Sequence, residues 1–375
     1  MMASRGAAQR VLFLLTEVFA NGGIQRFNQT LLDACSRLNV DCRVLSLNDS
    51  PSSMATDSAR QRFSIMGFSG NRRKFALAAA GALLRGHYDR VLIGHINLLT
   101  LATAVLRLRL FQRPPTMLIA HGIEVWSGIG SVRRYALSRT DRILCVSHYT
   151  RQRILEQAPS LAERSIIFPN ALSDTWRRVT PFPFPSALPA RFILSVTRLE
   201  RGDRYKGIAT VIEAFSMLAD DSMRYFVIGH GNDLPFLQLV AERCGVGNRV
   251  HFMPGVSDSE LISLYQKCEA FVLPSGKEGF GIVFLEAMFF GAPVIAACEK
   301  GATDVVRDGD TGIAVRFGDA LAVKQAIERI GADITLRERM RTNGRSMVVD
   351  GGPFTFARFT QRCAEVLELG ETIGA

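Results

Sequence analysis

Several protein classes are excluded by what this chain does not contain. No apolar run reaches the ~18–20 residues of a membrane-spanning helix. The longest candidates, 75–84 and 98–106, are about half that length. The seven cysteines (Cys35, Cys42, Cys145, Cys244, Cys268, Cys298 and Cys363) are scattered, odd in number and never spaced C-x-x-C. That argues against a disulfide or zinc framework and for reduced thiols in the cytoplasm. The first residues run almost straight into an apolar strand at 11–15, without the pattern of a signal peptide. No G-x-G-x-x-G follows that strand, so the fingerprint of a nicotinamide-dependent oxidoreductase is missing. Asp49 is only a loose candidate for the acid that such an enzyme needs after its second strand. No His, Cys and carboxylate cluster has metal-ligand spacing. Asp308-Gly309-Asp310 imitates a D-x-D triplet, but its setting before a short strand is turn chemistry. Neither a metal nor another cofactor is expected.

Lysine is almost missing from the first half: Lys74 is the only one in residues 1–180. Arginine replaces it. Residues 1–180 hold 24 Lys plus Arg against 11 Asp plus Glu, a net +13, whereas the remainder has 21 against 24, or −3. The chain is 375 residues long and 47% hydrophobic, which suits two domains with full cores. Short β-branched runs alternate with amphipathic helical stretches, the signature of parallel sheets covered on both faces. Four prolines within 181–189 interrupt this alternation. Neither a helix nor a central strand tolerates that spacing, so it reads as a stiff connector. The expected fold class is α/β, with two doubly wound Rossmann-like parallel-sheet domains facing each other across a cleft. An N-terminal domain at 1–180 and a linker at 181–190 precede a C-terminal domain at 191–352. A last helix within 353–375 could return to the first domain.

The most informative stretch is Pro274-Ser275-Gly276-Lys277-Glu278-Gly279-Phe280-Gly281-Ile282-Val283-Phe284-Leu285-Glu286. It leads from an apolar strand through a glycine-rich turn into a helix. Free backbone N–H groups at a helix start attract phosphate. Carboxylates repel phosphate but accept strongly from neutral hydroxyls. Glu278 and Glu286 beside such a helix start therefore suit a nucleotide sugar. The second domain's first strand delivers Arg198, and Lys206 with Gly207 open the following helix. Two cations at one sheet rim can neutralise a diphosphate, although read alone they are also ordinary surface cations. Gly22-Gly23 and Gly229-His230-Gly231 are strand-end loops where glycine allows close approach, and each is equally a tight turn. His121-Gly122 and His95 stand at strand ends with the same two readings. Ser147, Thr150 and Asn170 read first as helix caps and turn formers.

Taken in order, these residues resemble the retaining glycosyltransferases of family 4, built on the GT-B fold. The E-x7-E element corresponds to Glu278 and Glu286, and the basic pair to Arg198 and Lys206. The resemblance implies that Glu286 grips the ribose and Glu278 the donor sugar. It implies that the amides of Gly279, Phe280, Gly281 and Ile282, with Arg198 and Lys206, cradle the diphosphate. By the same likeness His121 touches the donor sugar, Gly22 and Gly23 lie near diphosphate and acceptor, and Gly229 and His230 border the nucleotide. One departure is Gly301-Ala302-Thr303-Asp304, where the family often has Gly-Gly and a glutamate.

The implied function is hexose transfer from a nucleotide-diphosphate sugar to a glycan or lipid-linked saccharide, in bacterial polysaccharide or lipopolysaccharide assembly. The alternative is a non-catalytic nucleotide-sugar-binding protein of the same fold. An inverting enzyme is a further rival. Arginine interleaved with apolar residues at 72–77 and 106–113 suits peripheral contact with an anionic membrane, or equally a sheet-covering helix with solvated arginines. The basic stretches carry few aromatics, so a nucleic-acid partner is not expected.

Overall fold

The computed structural model describes residues 8–20, 22–50, 63–110, 112–173, 176, 188–349 and 351–369. Most of the proline-rich connector, 181–187, lies outside them. The chain forms two compact units, Met1–Ser173 with Phe356–Ala375, and Asp174–Thr355.

The first unit carries a sheet of seven parallel strands in the order β3-β2-β1-β4-β5-β6-β7. These are β1 Arg10–Leu15, β2 Asp41–Ser46, β3 Ser64–Gly67, β4 Arg90–Ile93, β5 Thr116–Ala120, β6 Arg142–Cys145 and β7 Ser165–Ile167. The central strands are apolar throughout because helices cover both faces. Those helices are α1 Gly23–Arg37, α2 Arg72–Arg85, α3 Ile96–Leu106, α4 Ile123–Trp126, α5 Ser131–Ser138 and α6 His148–Gln157. The core holds Leu12, Leu14, Val91, Ile93, Leu118 and Ile143 among others, all fully buried.

The second unit has six parallel strands in the order β10-β9-β8-β11-β12-β13. They are β8 Phe192–Val196, β9 Arg224–Ile228, β10 Val250–Met253, β11 Ala270–Leu273, β12 Val294–Ala297 and β13 Gly312–Val315. The helices are α7 Ile208–Ser216, α8 Leu234–Arg243, α9 Asp258–Lys267, α10 Ile282–Phe289, α11 Ala320–Ala332 and α12 Ile334–Val348. Side chains fix several starts: Ser257 and Glu260 form a reciprocal cap on α9, while Asp319 and Asp333 cap α11 and α12.

The last helix, α13 Phe356–Leu367, belongs to the first unit. Phe359 is fully buried, with ring centroids 5.7 Å from Phe27 and 5.0 Å from Phe168. Burying such a side chain contributes roughly 2–3 kcal/mol. Gln9 Nε2 and Arg90 Nε donate to the Leu367 carbonyl at 3.0 and 2.9 Å, which satisfies the helix end.

Each sheet reverses its winding once, at β1/β4 and at β8/β11. Loops leaving the carboxyl ends of those neighbouring strands diverge and open a crevice, the usual ligand position in such sheets. Arg198, Lys206 and Glu278 leave β8 and β11. Gly22 and His95 follow β1 and β4, and His121 follows the adjacent β5.

Candidate functional site

In the second unit the loops after β8 and β11 are tied together. Lys206 Nζ lies 2.7 Å from Glu278 Oε2, and the two side chains are only 17% and 14% exposed. Gly276 N–H donates to the Tyr205 carbonyl at 2.7 Å. Gly207 has φ +79°, and a Cβ there would sit 2.8 Å from the Pro274 carbonyl, so this crossing of loops needs glycine. Arg198 is mostly exposed, and its Nη2 is 3.1 Å from Asp203 Oδ2. Asp203 Oδ1 also accepts from the Tyr205 hydroxyl at 2.7 Å. Burial, helped by that bond, pushes the Tyr205 phenol above its ordinary range, so it stays a neutral donor. Asp203 thus holds both the Arg198 guanidinium and the Tyr205 ring. The ammonium groups of Lys206 and Lys277 lie 5.6 and 5.7 Å from that ring's centroid.

The turn 278–281 ends in Gly281, which is left-handed at φ +88° and precedes α10 without a side-chain cap. Among the described residues, no hydrogen bond leads from the amides of Gly279 through Val283. The Phe280 and Ile282 side chains are buried, Phe280 edge-on to Phe354 at 5.3 Å. Their amides are what this turn can offer to a ligand. The loop after β12 supports the turn from behind: Gly301 N–H donates to the Glu278 carbonyl at 3.0 Å, and Lys300 Nζ to that of Gly276.

Glu286, one turn into α10, is 2% exposed and accepts from the Tyr265 hydroxyl at 3.2 Å. At Gly229 and Gly231 the space a Cβ would take is filled by the Thr197 and Leu199 carbonyls, 1.8 and 2.2 Å away. These glycines let the β9 loop pack on the β8 loop, while His230 is exposed. Asp308 and Asp310 are occupied in turn bonds, accepting from Ala314 N–H at 3.0 Å and Asn343 Nδ2 at 2.6 Å.

In the first unit Gly22 N-caps α1, again without a capping side chain. The loop before it is pinned by Asp49, which is buried. Asp49 Oδ2 accepts from Val18 N–H at 2.7 Å and from Ser46 Oγ at 2.5 Å, and its Oδ1 from Phe19 N–H at 3.2 Å. Ser147 caps α6 through the Thr150 amide at 3.1 Å. The Asn170 amide oxygen is buried and has no hydrogen-bond partner among the described residues.

His121 stands edge-on to Phe27 at 5.1 Å with its Nε2 3.0 Å from the Gly94 carbonyl. A carbonyl only accepts, so Nε2 carries the proton and Nδ1 is left as an acceptor. Glu124 Oε1 accepts from the His121 and Gly122 amides at 2.6 and 3.1 Å. Burial holds the His121 pKa down to about 4, against the pull of Glu124 and with help from His95. His95 is lowered too, chiefly by burial, with Glu124 opposing and Arg133 adding.

Because the folded pKa of His121 lies below the unfolded value, the stability it contributes is complete above pH 6.5 and is lost as pH falls toward 4. The shift corresponds to about 3 kcal/mol. Denaturant unfolding of wild type and His121→Gln across this window checks it. The wild type should lose stability more steeply on acidification, and equal slopes would refute the assignment.

Asp203 and Glu124 are not singled out as site residues by sequence, and Asp49 only as a loose candidate acid of another enzyme class. Each works by accepting from nearby amides or side chains. The spacing of Glu124, three residues after His121, is the one local sign that could have marked it.

Residues 21–175 match the family described as Glycosyltransferase Family 4, and residues 179–347 the one described as Glycosyl transferases group 1. A GDP-mannose-dependent alpha-(1-6)-phosphatidylinositol monomannoside mannosyltransferase of Mycobacterium tuberculosis is 31% identical over 268 residues, 66% of this chain and 68% of its own length. This chain is a family 4 glycosyltransferase. The enzyme is also 32% identical over 162 residues to a lipopolysaccharide core biosynthesis glycosyltransferase of Rhizobium meliloti, covering 43% of this chain and 46% of that protein. The HepE protein of Anabaena, solved with UDP and glucose, superposes with a TM-score of 0.76 at 19% identity, over 96% of this chain and 99% of that one. Sucrose-phosphate synthase of Thermosynechococcus elongatus gives 0.80 at 20% identity, over 96% and 98%. These structures share the GT-B fold with the enzyme.

Proposed function

We propose that the second unit binds a nucleotide-diphosphate hexose and that the enzyme transfers the sugar, with retention of anomeric configuration, to a lipid-linked saccharide. The observation that carries this reading is the Lys206–Glu278 pair at the mouth of β11, beside the unused amides that open α10. Phosphate oxygens are met by those amides and by Lys206 and Arg198, while Glu278 accepts from sugar hydroxyls. Charge grows on the diphosphate as the glycosidic bond breaks. Preorganised donors and fixed cations stabilise that charge more than they stabilise the ground state. Because side-chain cations supply the neutralisation, the transfer is read as metal-independent.

The sugar passes through an oxocarbenium-like state, which the Glu278 carboxylate stabilises electrostatically in this reading. No protein base is assigned. The departing phosphate oxygen takes the acceptor proton, which places nucleophile and leaving group on one face and retains configuration. The His121 ring, neutral with Nδ1 as acceptor, is the first unit's group suited to accept from a sugar hydroxyl. The lipid-linked acceptor is favoured by the phosphatidylinositol-directed and lipopolysaccharide-directed relatives and by the arginine-rich first unit.

A thermal-shift panel of GDP, UDP and ADP sugars tests the donor site. A true donor at about a hundred times its dissociation constant adds about 2.7 kcal/mol of stability, and a melt unmoved by any of them would sink the assignment. Product anomers read by NMR then separate retention from inversion. Sugar release by wild type but not Glu278→Ala separates an enzyme from a mere binder.

A further inference from the structure

We propose that the outer face of α2, α3 and α5 docks on an anionic lipid surface, presenting the first unit to the lipid-linked acceptor of the function proposed above. The steps β3 to β4, β4 to β5 and β5 to β6 all run the same way across the sheet. With right-handed crossovers their helices share one face, whereas the β1 to β2 step puts α1 on the other. The layer is continuous. Arg109 of the α3 end donates to the Leu83 and Gly86 carbonyls at 2.5 and 3.1 Å, Arg133 to Asn97 Oδ1 at 2.9 Å, and the Arg107 guanidinium lies 5.6 Å from the Tyr135 ring centroid.

Three observations separate a docking surface from solvated arginines. First, α2, α3 and α5 contain no Asp or Glu, so the cations of these helices have no carboxylate on their own helices. Second, Arg72, Arg73 and Lys74 occupy the first turn of α2, and Arg133 and Arg134 that of α5. Cations at a helix N-terminus oppose the macrodipole and weaken the helix, so helix stability does not account for them. Third, Leu77, Leu108, Leu110 and Val132 on the same layer are each more than two-thirds exposed. Exposed apolar side chains set among cations match the headgroup and upper acyl region of an anionic bilayer. Not every arginine of the interleaved stretch contributes. Arg109 caps carbonyls, and Arg113 is held by the Arg139 carbonyl and by Asp141, both at 2.8 Å. The outward set is Arg72, Arg73, Lys74, Leu77, Leu108 and Leu110.

The test uses the full-length protein and co-sedimentation with vesicles of phosphatidylcholine alone or with about 30% phosphatidylglycerol, where each cation near the surface is worth about fivefold. Wild type should bind the anionic vesicles, bind the neutral ones weakly, and release as salt rises. Joint Arg72→Gln, Arg73→Gln and Lys74→Gln should cut anionic partitioning on the order of a hundredfold. Leu108→Ser with Leu110→Ser should cut the part that survives high salt. A charge-matched control on the second unit, Arg243→Gln, Lys267→Gln and Arg329→Gln, should change it less than about twofold. Equal losses in the triple variant and the control would overturn the proposal. So would failure of wild type to bind anionic vesicles, or equally tight, equally Arg72-dependent binding of single-stranded RNA. The nucleotide-sugar thermal shift is read on the same samples. Its retention in the triple variant shows an intact fold, and its absence from wild type would strike the donor site without touching the lipid result.

Discussion

Lys206→Ala is expected to lower turnover by about 10²–10³ while leaving a folded protein, the range seen when a preorganised charge-stabilising donor is removed. The ammonium is 2.7 Å from Glu278 Oε2, and neither side chain is more than a fifth exposed. Alanine removes a cation from the diphosphate position and leaves the largely buried Glu278 carboxylate without its partner. Losing one member of a fully buried pair costs about 3–5 kcal/mol, and residual solvent access reduces that here to about half. The variant should therefore melt lower yet still fold. Glu278→Ala should cost a similar factor in turnover. The double variant should be little worse than the poorer single one, because groups that act as one unit are not additive. Turnover at saturating donor and the dissociation constant of the free nucleotide, measured for all three, decide the matter. A Lys206→Ala enzyme within tenfold of wild type would mean that the diphosphate lies elsewhere.

That pair shows how far sequence reasoning carries. The strands at β5, β8 and β11 are legible as apolar runs ended by polar or glycine residues, and each bears its functional residue just beyond its end. The contact itself is not legible, because Lys206 and Glu278 are 72 residues apart. They meet because β8 and β11 are hydrogen-bonded neighbours at the reversal of the sheet. β3 is not legible for a different reason: Ser64–Gly67 is a short edge strand, partly exposed along its length, so it lacks a continuous apolar run. Asp49 could be seen in sequence only as a loose ribose-binding acid for another class of enzyme. Its amide partners, Val18 and Phe19, are thirty or so positions away and carry no side-chain signature. The deep burial of Glu286 was likewise hidden, since an acid at the first turns of a helix ordinarily faces water. The two glycines of the β9 loop were legible as points of close approach. The approaching group, however, is the protein's own β8 loop.

Close packing of backbone on backbone leads to the other large effect, at Gly301→Ala. A Cβ on this residue would lie 2.0 Å from the Gly279 carbonyl oxygen, 2.4 Å from its carbon and 2.7 Å from the Glu278 carbonyl oxygen. None of these atoms belongs to a side chain that could rotate away. Either the β12 loop or the Glu278 turn must move by more than an ångström to restore ordinary contact, and the 3.0 Å bond from Gly301 N–H to the Glu278 carbonyl must stretch or break. Overpacking of this kind costs roughly 1–3 kcal/mol. A misplacement of about 1 Å at reacting groups costs around a hundredfold in rate. Gly301→Ala should therefore lower the melting temperature by several degrees and turnover by about a hundredfold, with Lys206 and Glu278 both still present. Gly202→Ala, in the β8 loop near the same cations, is the control. Nothing lies within 4 Å of its added Cβ and its backbone is not left-handed, so stability should stay within about 0.5 kcal/mol. Thermal unfolding and saturating-donor turnover on the two variants compare packing directly with proximity. If Gly301→Ala matched Gly202→Ala in both, the turn bearing Glu278 would not owe its position to the loop behind it, and the fixed geometry invoked for charge stabilisation would need another support.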